Sequence, residues 1–195
     1  DADGNNIINE SGNTITIGAS GDTTNIVGTL QNNGSALNFA TVNGITMVDM
    51  FRMTADLNSN ADPISANLER VDDATFAKIG TGMTESSGTF SFPETGLYEV
   101  HFNFYGESNA DGFNAFIKFT SDNSNYTTVA GQSVGDGSGY NVTAGFGTIF
   151  NVTDITNDKV RFATSSMAGN NNTRMYGDTS QSLTYFQFIR LGDSQ

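Results

Sequence analysis

Short strand-like segments recur from Gly88 to the C-terminus, separated by turn residues, and they constrain the fold more than any other feature of the chain. Their spacing of roughly 8 to 12 residues is typical of β-sandwiches and barrels. In "GTFSFPETGLYEVHFNFYG" (88–106), Pro93 restricts φ in a turn between two strands. Alternate residues of the second strand, from Tyr98 to Phe104, place apolar side chains on one face. The pattern predicts an all-β, antiparallel sandwich.

The same alternation predicts the later strands. They are "FNAFIKFT" (113–120), "YTTVAGQSV" (126–134), "YNVTAGFGTIFNV" (140–152), "DKVRFATS" (158–165) and "SLTYFQFIRL" (182–191). Two earlier segments are less regular. Residues 44–57 fit a short helix or a strand, and the β-rich surroundings favour a strand from Phe51 to Leu57. Within 63–80, "NLERVDD" fits one helical turn or a loop, and "TFAKIG" fits a short strand.

Composition excludes several classes of protein. The chain of 195 residues has a net charge of −13, so no basic surface for nucleic acid is expected. It has no cysteine, which excludes disulfides and cysteine-based zinc sites. No apolar run reaches the ~18 residues of a membrane span, so no membrane insertion is expected. The acidic surface either keeps the protein soluble or holds divalent cations.

No catalytic motif is evident, and we expect no enzyme activity. A Ser-His-Asp triad would have to use His101, the single histidine, and no serine lies in a G-x-S-x-G motif. "GDGSG" (135–139) lacks the lysine of a phosphate-binding loop. A pair of carboxylates for glycoside cleavage stays open, because acidic residues are numerous.

Several strands are apolar on both faces. In the last strand Phe186 and Phe188 point one way, whereas Tyr185, Ile189 and Leu191 point the other. A monomeric sandwich needs one apolar face per sheet. The second face therefore indicates burial against another subunit, unless these are scattered exposed residues.

The first 45 residues differ from the rest, and we predict two regions, 1–45 and 46–195. "NTITIGASGDTTNIVGTL" (13–30) contains short alternating segments that cannot bury their apolar residues alone. They would need copies from other chains or a preceding array of repeats; the alternative is an irregular N-terminal arm. The chain opens at Asp1 without a visible signal peptide, so we expect it to come from a longer product.

Residues 46–195 resemble the jelly roll of the C1q and tumour-necrosis-factor-like family. The resemblance rests on the pattern G-x-F-x-x-P-x-x-G-x-Y, met here by Gly88, Phe90, Pro93, Gly96 and Tyr98, and on the aromatic strand near the C-terminus. It implies a homotrimer packed through one sheet. Candidates for core or trimer contacts are Tyr105, Phe146, Phe150, Phe186 and Phe188. The collagen-like repeats of animal members are absent, and the N-terminal segments instead resemble the shaft of a bacteriophage fibre.

In such a fold the connections alternate between two ends. The short turns "PETG", "SDNSN" and "TDITND" share one end, and the longer loops 106–114, 135–139 and 165–182 share the other. Because the first and last strands pair antiparallel, both termini of the jelly roll lie at the short-turn end, and the long loops form the tip. Loops on a rigid scaffold often carry binding residues. Residues whose carboxylate, amide, guanidinium or aromatic groups suit saccharides are Asp111, Asn114, Asp136, Tyr140, Asn171, Arg174, Tyr176 and Asp178.

Metal binding is a subsidiary expectation, and no other cofactor is expected. Some C1q-like domains hold calcium near the threefold axis, which makes Asp111 or Asp136 a possible ligand by resemblance. "DADGNN" (1–6) begins like an EF-hand loop, but position 12 is glycine, so a turn is the better interpretation.

These features predict a virion protein: a trimeric fibre or spike tip that attaches to a host-surface glycan and joins other virion proteins through its N-terminus. The alternative is a capsid decoration protein with the same trimeric fold. A polysaccharide depolymerase or a secreted adhesin is a weaker hypothesis.

Overall fold

The computed structural model describes residues 31–32, 35–36, 45–109, 112–135, 140–167 and 173–195. The chain divides into two units, Asp1–Asn43 and Gly44–Gln195. In the first, β1 (Gln31–Asn32) pairs antiparallel with β2 (Ser35–Ala36). The segments predicted to form a shaft within 13–30 lie outside the described residues, so the shaft stays a prediction.

The second unit, called the head below, is all-β in its described residues. Its strands are β3 (Met47–Met53), β4 (Leu68–Arg70), β5 (Thr84–Ser86), β6 (Thr89–Ser91), β7 (Gly96–Ser108), β8 (Phe113–Thr120), β9 (Thr127–Val134), β10 (Tyr140–Val152), β11 (Lys159–Ser165), β12 (Thr173–Met175) and β13 (Tyr185–Gly192). They form two antiparallel sheets, which confirms the predicted fold class.

The first sheet has the order β10-β7-β13-β3-β4, with β12 also pairing with β7. The first and last strands of the head pair antiparallel, with Phe51 opposite Phe186, as predicted. Beyond the first residue of β13, Tyr185, β12 takes its place beside β7, with Arg174 opposite Glu107. We call this the six-stranded sheet. The long strand β7 thus pairs with β10 along its whole length on one side, and with β13 and then β12 on the other.

The second sheet has the order β5-β6-β11-β8-β9 and faces the first across an aromatic core. At its centre the rings of Phe162 and Phe186 stack with centroids 4.2 Å apart, joining the two sheets. Phe90 contacts both of these rings as well. Aromatic pairs of this kind add to the hydrophobic energy of their burial, so the repeated phenylalanines of the sequence are accounted for by this core.

Three local predictions for the segment 44–91 were wrong. The first strand of the head runs from Met47 to Met53 rather than from Phe51 to Leu57. "NLERVDD" contributes strand β4 instead of a helical turn or loop. "TFAKIG" is not a strand, although Ile79 forms one bridge to Val48. The short strands β5 and β12 were not predicted.

The connections separate into two ends, as predicted. At the short-turn end, the Asn123 N–H donates to the Asn157 carbonyl at 3.1 Å, which links "SDNSN" to "TDITND". β3 begins and β13 ends here, since Met47 lies opposite Arg190. At the other end, the Ser108 hydroxyl donates to the Gly135 carbonyl at 2.9 Å, which joins two of the long loops. We call this second end the tip.

Candidate binding surface

Five polar and aromatic residues meet at the tip, on the side of the six-stranded sheet that faces away from the core. β7 supplies two of them, the segment after β3 supplies one, and β12 with the residue after it supplies two. They are Asp56, Tyr105, Glu107, Arg174 and Tyr176. We call them the tip cluster. Sequence analysis proposed Arg174 and Tyr176 as binding residues and Tyr105 as a core or trimer contact.

The guanidinium of Arg174 organises the tip cluster. It donates to Asp56 Oδ2 and to Glu107 Oε2, each at 3.2 Å. It also lies over the Tyr176 ring, 4.9 Å from the centroid. Its Nε is buried and finds no acceptor among the described residues. The cluster holds one positive and two negative side chains, so it is locally acidic.

The rings of Tyr105 and Tyr176 pack against each other beside the ion pairs. Their rings are 5.1 Å apart, and the Tyr176 N–H donates to the Tyr105 carbonyl at 2.8 Å. The Tyr176 hydroxyl donates to Glu107 at 3.1 Å. Burial raises the pKa of Tyr176, and its hydrogen bond to Glu107 raises it further. The hydroxyl therefore remains protonated at neutral pH. The cluster offers ring faces next to fixed acceptors, an arrangement that suits saccharides.

Two other predicted tip residues, Asn114 and Asp178, do not join this cluster. Asn114 belongs to the five-stranded sheet, where its amide donates to Ser165 at 3.3 Å. Asp178 caps the following turn and accepts from the Ser180 N–H at 2.6 Å. Asn114 thus bonds to the neighbouring strand, whereas Asp178 makes a local hydrogen bond to the backbone that is typical of a turn. Tyr140 begins β10, and its side chain is not described; Asp111, Asp136 and Asn171 lie outside the described residues.

The residues expected in the core or trimer interface divide by face. Phe186 and Phe188 are fully buried between the sheets. Phe150 is also buried and stacks on Phe119 at 4.6 Å, and Phe146 packs against the core at 5.5 Å from Phe102. Only Tyr105 lies on the outward side. The four phenylalanines therefore belong to the core, and Tyr105 belongs to the outer surface.

Nearer the short-turn end than the tip cluster, that outer surface of the six-stranded sheet is partly apolar. Ile149 and Ile189 flank Glu99 in register, and the Ile149 side chain is 59% exposed. One row nearer the tip, His101 lies beside Gly147 and contacts Glu99 at 2.8 Å. A side chain at Gly147 would collide with the His101 ring and with the backbone of β7. We call this region the outer sheet face; the exposed Ile149 and the partly exposed Ile189 suit packing against another protein surface.

Asp56 and Glu107 were missed by sequence reasoning. Glu107 lies in a segment assigned to the tip, and its alternation with Tyr105 along β7 was a usable signal. No sequence signal pointed to Asp56, because its contact with Arg174 joins residues that are 118 positions apart. Such a pairing depends on how the sheet closes.

The described residues contain no group of three or more histidine, cysteine, aspartate or glutamate side chains arranged to hold a metal ion. The calcium prediction at Asp111 or Asp136 falls outside them and stays a prediction. In the part of the chain that the structure describes, no helix is long and apolar enough to cross a membrane.

Comparison with known proteins identifies the fold. No family model matches the chain, and no curated protein matches it. Among solved structures, the Eiger TNF of S. frugiperda is similar at 12% identity and a TM-score of 0.61, with 78% of this chain and 96% of that one covered. Murine APRIL at pH 5.0 is similar at 10% identity and a TM-score of 0.55, with 74% and 98% covered.

The globular domain of zebrafish complement 1qA is also similar, at 13% identity and a TM-score of 0.52, covering 76% of this chain and 99% of that one. The head therefore has the TNF and C1q-like jelly-roll fold, as the pattern around Pro93 predicted. At these identities the similarity is one of fold.

Proposed function

We propose that this protein is a non-enzymatic attachment module, in which three copies of the head pack through their outer sheet faces and present three tip clusters to a host-surface glycan. The observation that supports this most is the outer sheet face. It combines an exposed isoleucine, Ile149, and the partly exposed Ile189 with glycines on an otherwise well-packed sandwich, and no described element of the chain covers Ile149 or Leu191.

The arrangement of the two ends supports the same proposal. The polypeptide enters the head at the short-turn end, where β3 begins, and the tip cluster lies at the opposite end. A module held from the first end would present the second to its surroundings. Three weak saccharide contacts on one particle would then act together, with a large gain in avidity.

The wider setting is part of the proposal. The segments within 13–30 resemble a bacteriophage fibre shaft, so we place the protein in a virion, as a fibre or spike tip joined to other virion proteins through its N-terminal region. The resemblance of these segments and the chemistry of the tip cluster support this setting.

The test is binding of fluorescently labelled full chain to bacterial cells and to an array of bacterial surface glycans. Attachment that competes with free glycan supports the proposal, and loss of attachment in Arg174→Ala, with folding retained, assigns it to the tip cluster. Binding to empty phage capsids without binding to any cell would instead support the decoration hypothesis. Absence of binding to all three would overturn the attachment proposal.

A further inference from the structure

We infer that the segment between β3 and β4 forms a binding site for a single neutral saccharide ring, which adjoins the tip cluster and shares Asp56 with it. This inference rests on the proposed attachment function and names where one sugar of the glycan would bind. The segment encloses a cleft of about 120 Å³, lined by residues between Met53 and Asn67. Drug-sized pockets span ~300–1,000 Å³, so this cleft suits one small ring.

The floor of the cleft is apolar and firmly packed. Met53 and Ile64 are 1% and 2% exposed and belong to the core. Leu57 and Pro63 are partly exposed beside them. One face of a pyranose ring presents C–H groups, and such a face is favourably buried against an aliphatic floor.

The rim of the cleft is polar and exposed. It carries an uncommon concentration of carboxylate, amide and hydroxyl groups for so short a segment: Asp56, Ser59, Asn60, Ser65 and Asn67. The side chains of Ser65 and Asn67 make no hydrogen bond within the described part of the chain. Asn60 accepts from the Met167 N–H through Oδ1, which leaves its NH₂ group directed elsewhere. Donors and acceptors that the fold does not use can serve sugar hydroxyls.

The walls are held in place by backbone hydrogen bonds to both sheets. Leu57 exchanges two such bonds with Met175 of β12, at 2.9 and 2.8 Å. The Ile64 N–H donates to the Phe162 carbonyl of β11 at 2.8 Å, and the Thr54 N–H closes the segment on the Asn67 carbonyl at 2.8 Å. A site fixed in this way loses little conformational entropy when a ligand binds.

The chemistry of the lining selects among ligand classes. One carboxylate, Asp56, lines the cleft, and its oxygens already accept from Arg174 and from the Gly177 N–H. Among the described residues that line the cleft there is no lysine or arginine, which disfavours an anion, and a single carboxylate is a poor cation site. A purely apolar ligand would leave the rim unsatisfied. A neutral polyhydroxyl ring meets both the floor and the rim, and Asp56 connects it to the tip cluster, where the next sugar would lie.

The experiment is saturation-transfer NMR on the full chain with a panel of methyl glycosides of glucose, galactose, mannose and N-acetylglucosamine. We expect at least one neutral glycoside to bind, and sialic acid to bind less well than it. Ser65→Trp fills the cleft from an exposed position and should abolish the signal. Asn67 has φ of 57°, which glycine adopts freely, so Asn67→Gly removes the amide without backbone strain and should weaken binding roughly three- to tenfold. Ser121→Trp, an exposed serine at the short-turn end, is the matched control and should bind as the unmodified chain does.

The outcomes separate this site from the attachment function. If no glycoside binds, or if Ser65→Trp binds as well as Ser121→Trp, the cleft is not a saccharide site. Cell attachment by the Ser65→Trp variant at the level of the unmodified chain, together with unchanged glycoside binding, would overturn the cleft while leaving the attachment function intact. Glycoside binding that disappears in Ser65→Trp supports the cleft as a saccharide site. Failure of the protein to attach to any cell tested would not change this, because cell attachment tests the proposed function alone.

Discussion

Asp49 shows how one buried residue can fasten a long segment to the sandwich. Its carboxylate is fully buried, accepts from Arg70 Nε at 2.9 Å and accepts from the Met83 N–H at 2.7 Å. The Arg70 side chain is 39% exposed, so the ion pair lies at the edge of the core. The pair joins β3, β4 and the chain before β5.

Replacing this carboxylate should be costly. In Asp49→Asn one oxygen is replaced by an NH₂ group facing the donors of Arg70 and Met83, and the charge of Arg70 loses its partner. We expect a loss of about 3 kcal/mol in the free energy of unfolding, measured by denaturant titration. Asp72→Asn is the control, because Asp72 also pairs with an arginine but its side chain is 77% exposed. Its expected loss is below about 1 kcal/mol, and equal losses in the two variants would contradict the argument.

Tyr98 predicts how stability responds to alkaline pH. The side chain is fully buried, and its hydroxyl donates to the Glu94 carbonyl at 2.8 Å. Burial, with the charge of Glu94, raises the pKa of Tyr98 from the ordinary value of 10.0 to about 12, although Arg190 opposes this. The unfolded state therefore ionises first, and this contribution to stability is lost as pH rises from about 10 to about 12.

The variant Tyr98→Phe tests whether Tyr98 causes this loss of stability at alkaline pH. At neutral pH the variant should lose about 1 kcal/mol, the value of one buried hydrogen bond. Between pH 10 and 12 its stability should fall less steeply than that of the unmodified chain, because the ionising group has been removed. Thermal unfolding at several pH values provides the comparison, and parallel curves for the two proteins would show that Tyr98 does not carry the dependence.

Among the elements, β12 depends most on a close approach between backbones. It pairs with the end of β7, where Met175 lies opposite Gly106. A Cβ at Gly106 would overlap the Arg174 carbonyl and approach the Met175 Cα to 3.0 Å. Glycine at position 106 therefore allows β12 to dock, and with it Arg174 and Tyr176 of the tip cluster.

Gly106→Ala should displace β12 and disorganise the tip cluster. Overpacking of this kind costs about 1–3 kcal/mol, and we expect faster amide hydrogen exchange at Leu57 and Met175, whose backbone bonds join the cleft to β12. Gly192→Ala is the control, because a Cβ there meets nothing within 4 Å. Unchanged exchange at both amides in Gly106→Ala would refute the dependence.

At the scale of elements, sequence periodicity predicted the long strands well, since one buried face imposes strict alternation. The bounds predicted for β8 and β10 are those observed. It failed where polar side chains are buried by partners distant in sequence. Arg52 lies in β3 yet is fully buried, because Glu69 and Asp73 neutralise it. Neither partner can be recognised from a local sequence pattern. The predicted first strand therefore began too far along the chain, and the segment that forms β4 was predicted to be a helical turn or a loop.

The candidate site was predictable to a smaller extent for the same reason. Topology correctly placed the long loops at one end and brought Arg174 and Tyr176 into the tip. The partners Asp56 and Glu107, and the cleft between Met53 and Asn67, depend on tertiary pairing across the sheet. A reading based on loop length and composition could not select them.

At the scale of the whole molecule, the two surfaces of the head differ in what they expose. The outer sheet face presents Ile149 and Ile189 on either side of Glu99, with glycines beside them. An isoleucine that is 59% exposed contributes hydrophobic energy only when something covers it. In a symmetric trimer the outer sheet face of each copy would be covered by the other copies, which is the basis of the last prediction.

Light scattering after size exclusion should give a mass near three times 20.7 kDa that does not change on dilution. Ile149→Asp places a charge in the proposed interface, where burying it unpaired is costly, and should yield monomers that remain folded. Ile155→Asp is the matched control, because Ile155 is 43% exposed in a turn at the short-turn end, away from this face. It should assemble as the unmodified chain does.

A mass of 20.7 kDa for the unmodified chain, or trimers from Ile149→Asp, would show that the outer sheet face is not the interface. Multivalent attachment would then need a different basis, because a monomer presents only one tip cluster.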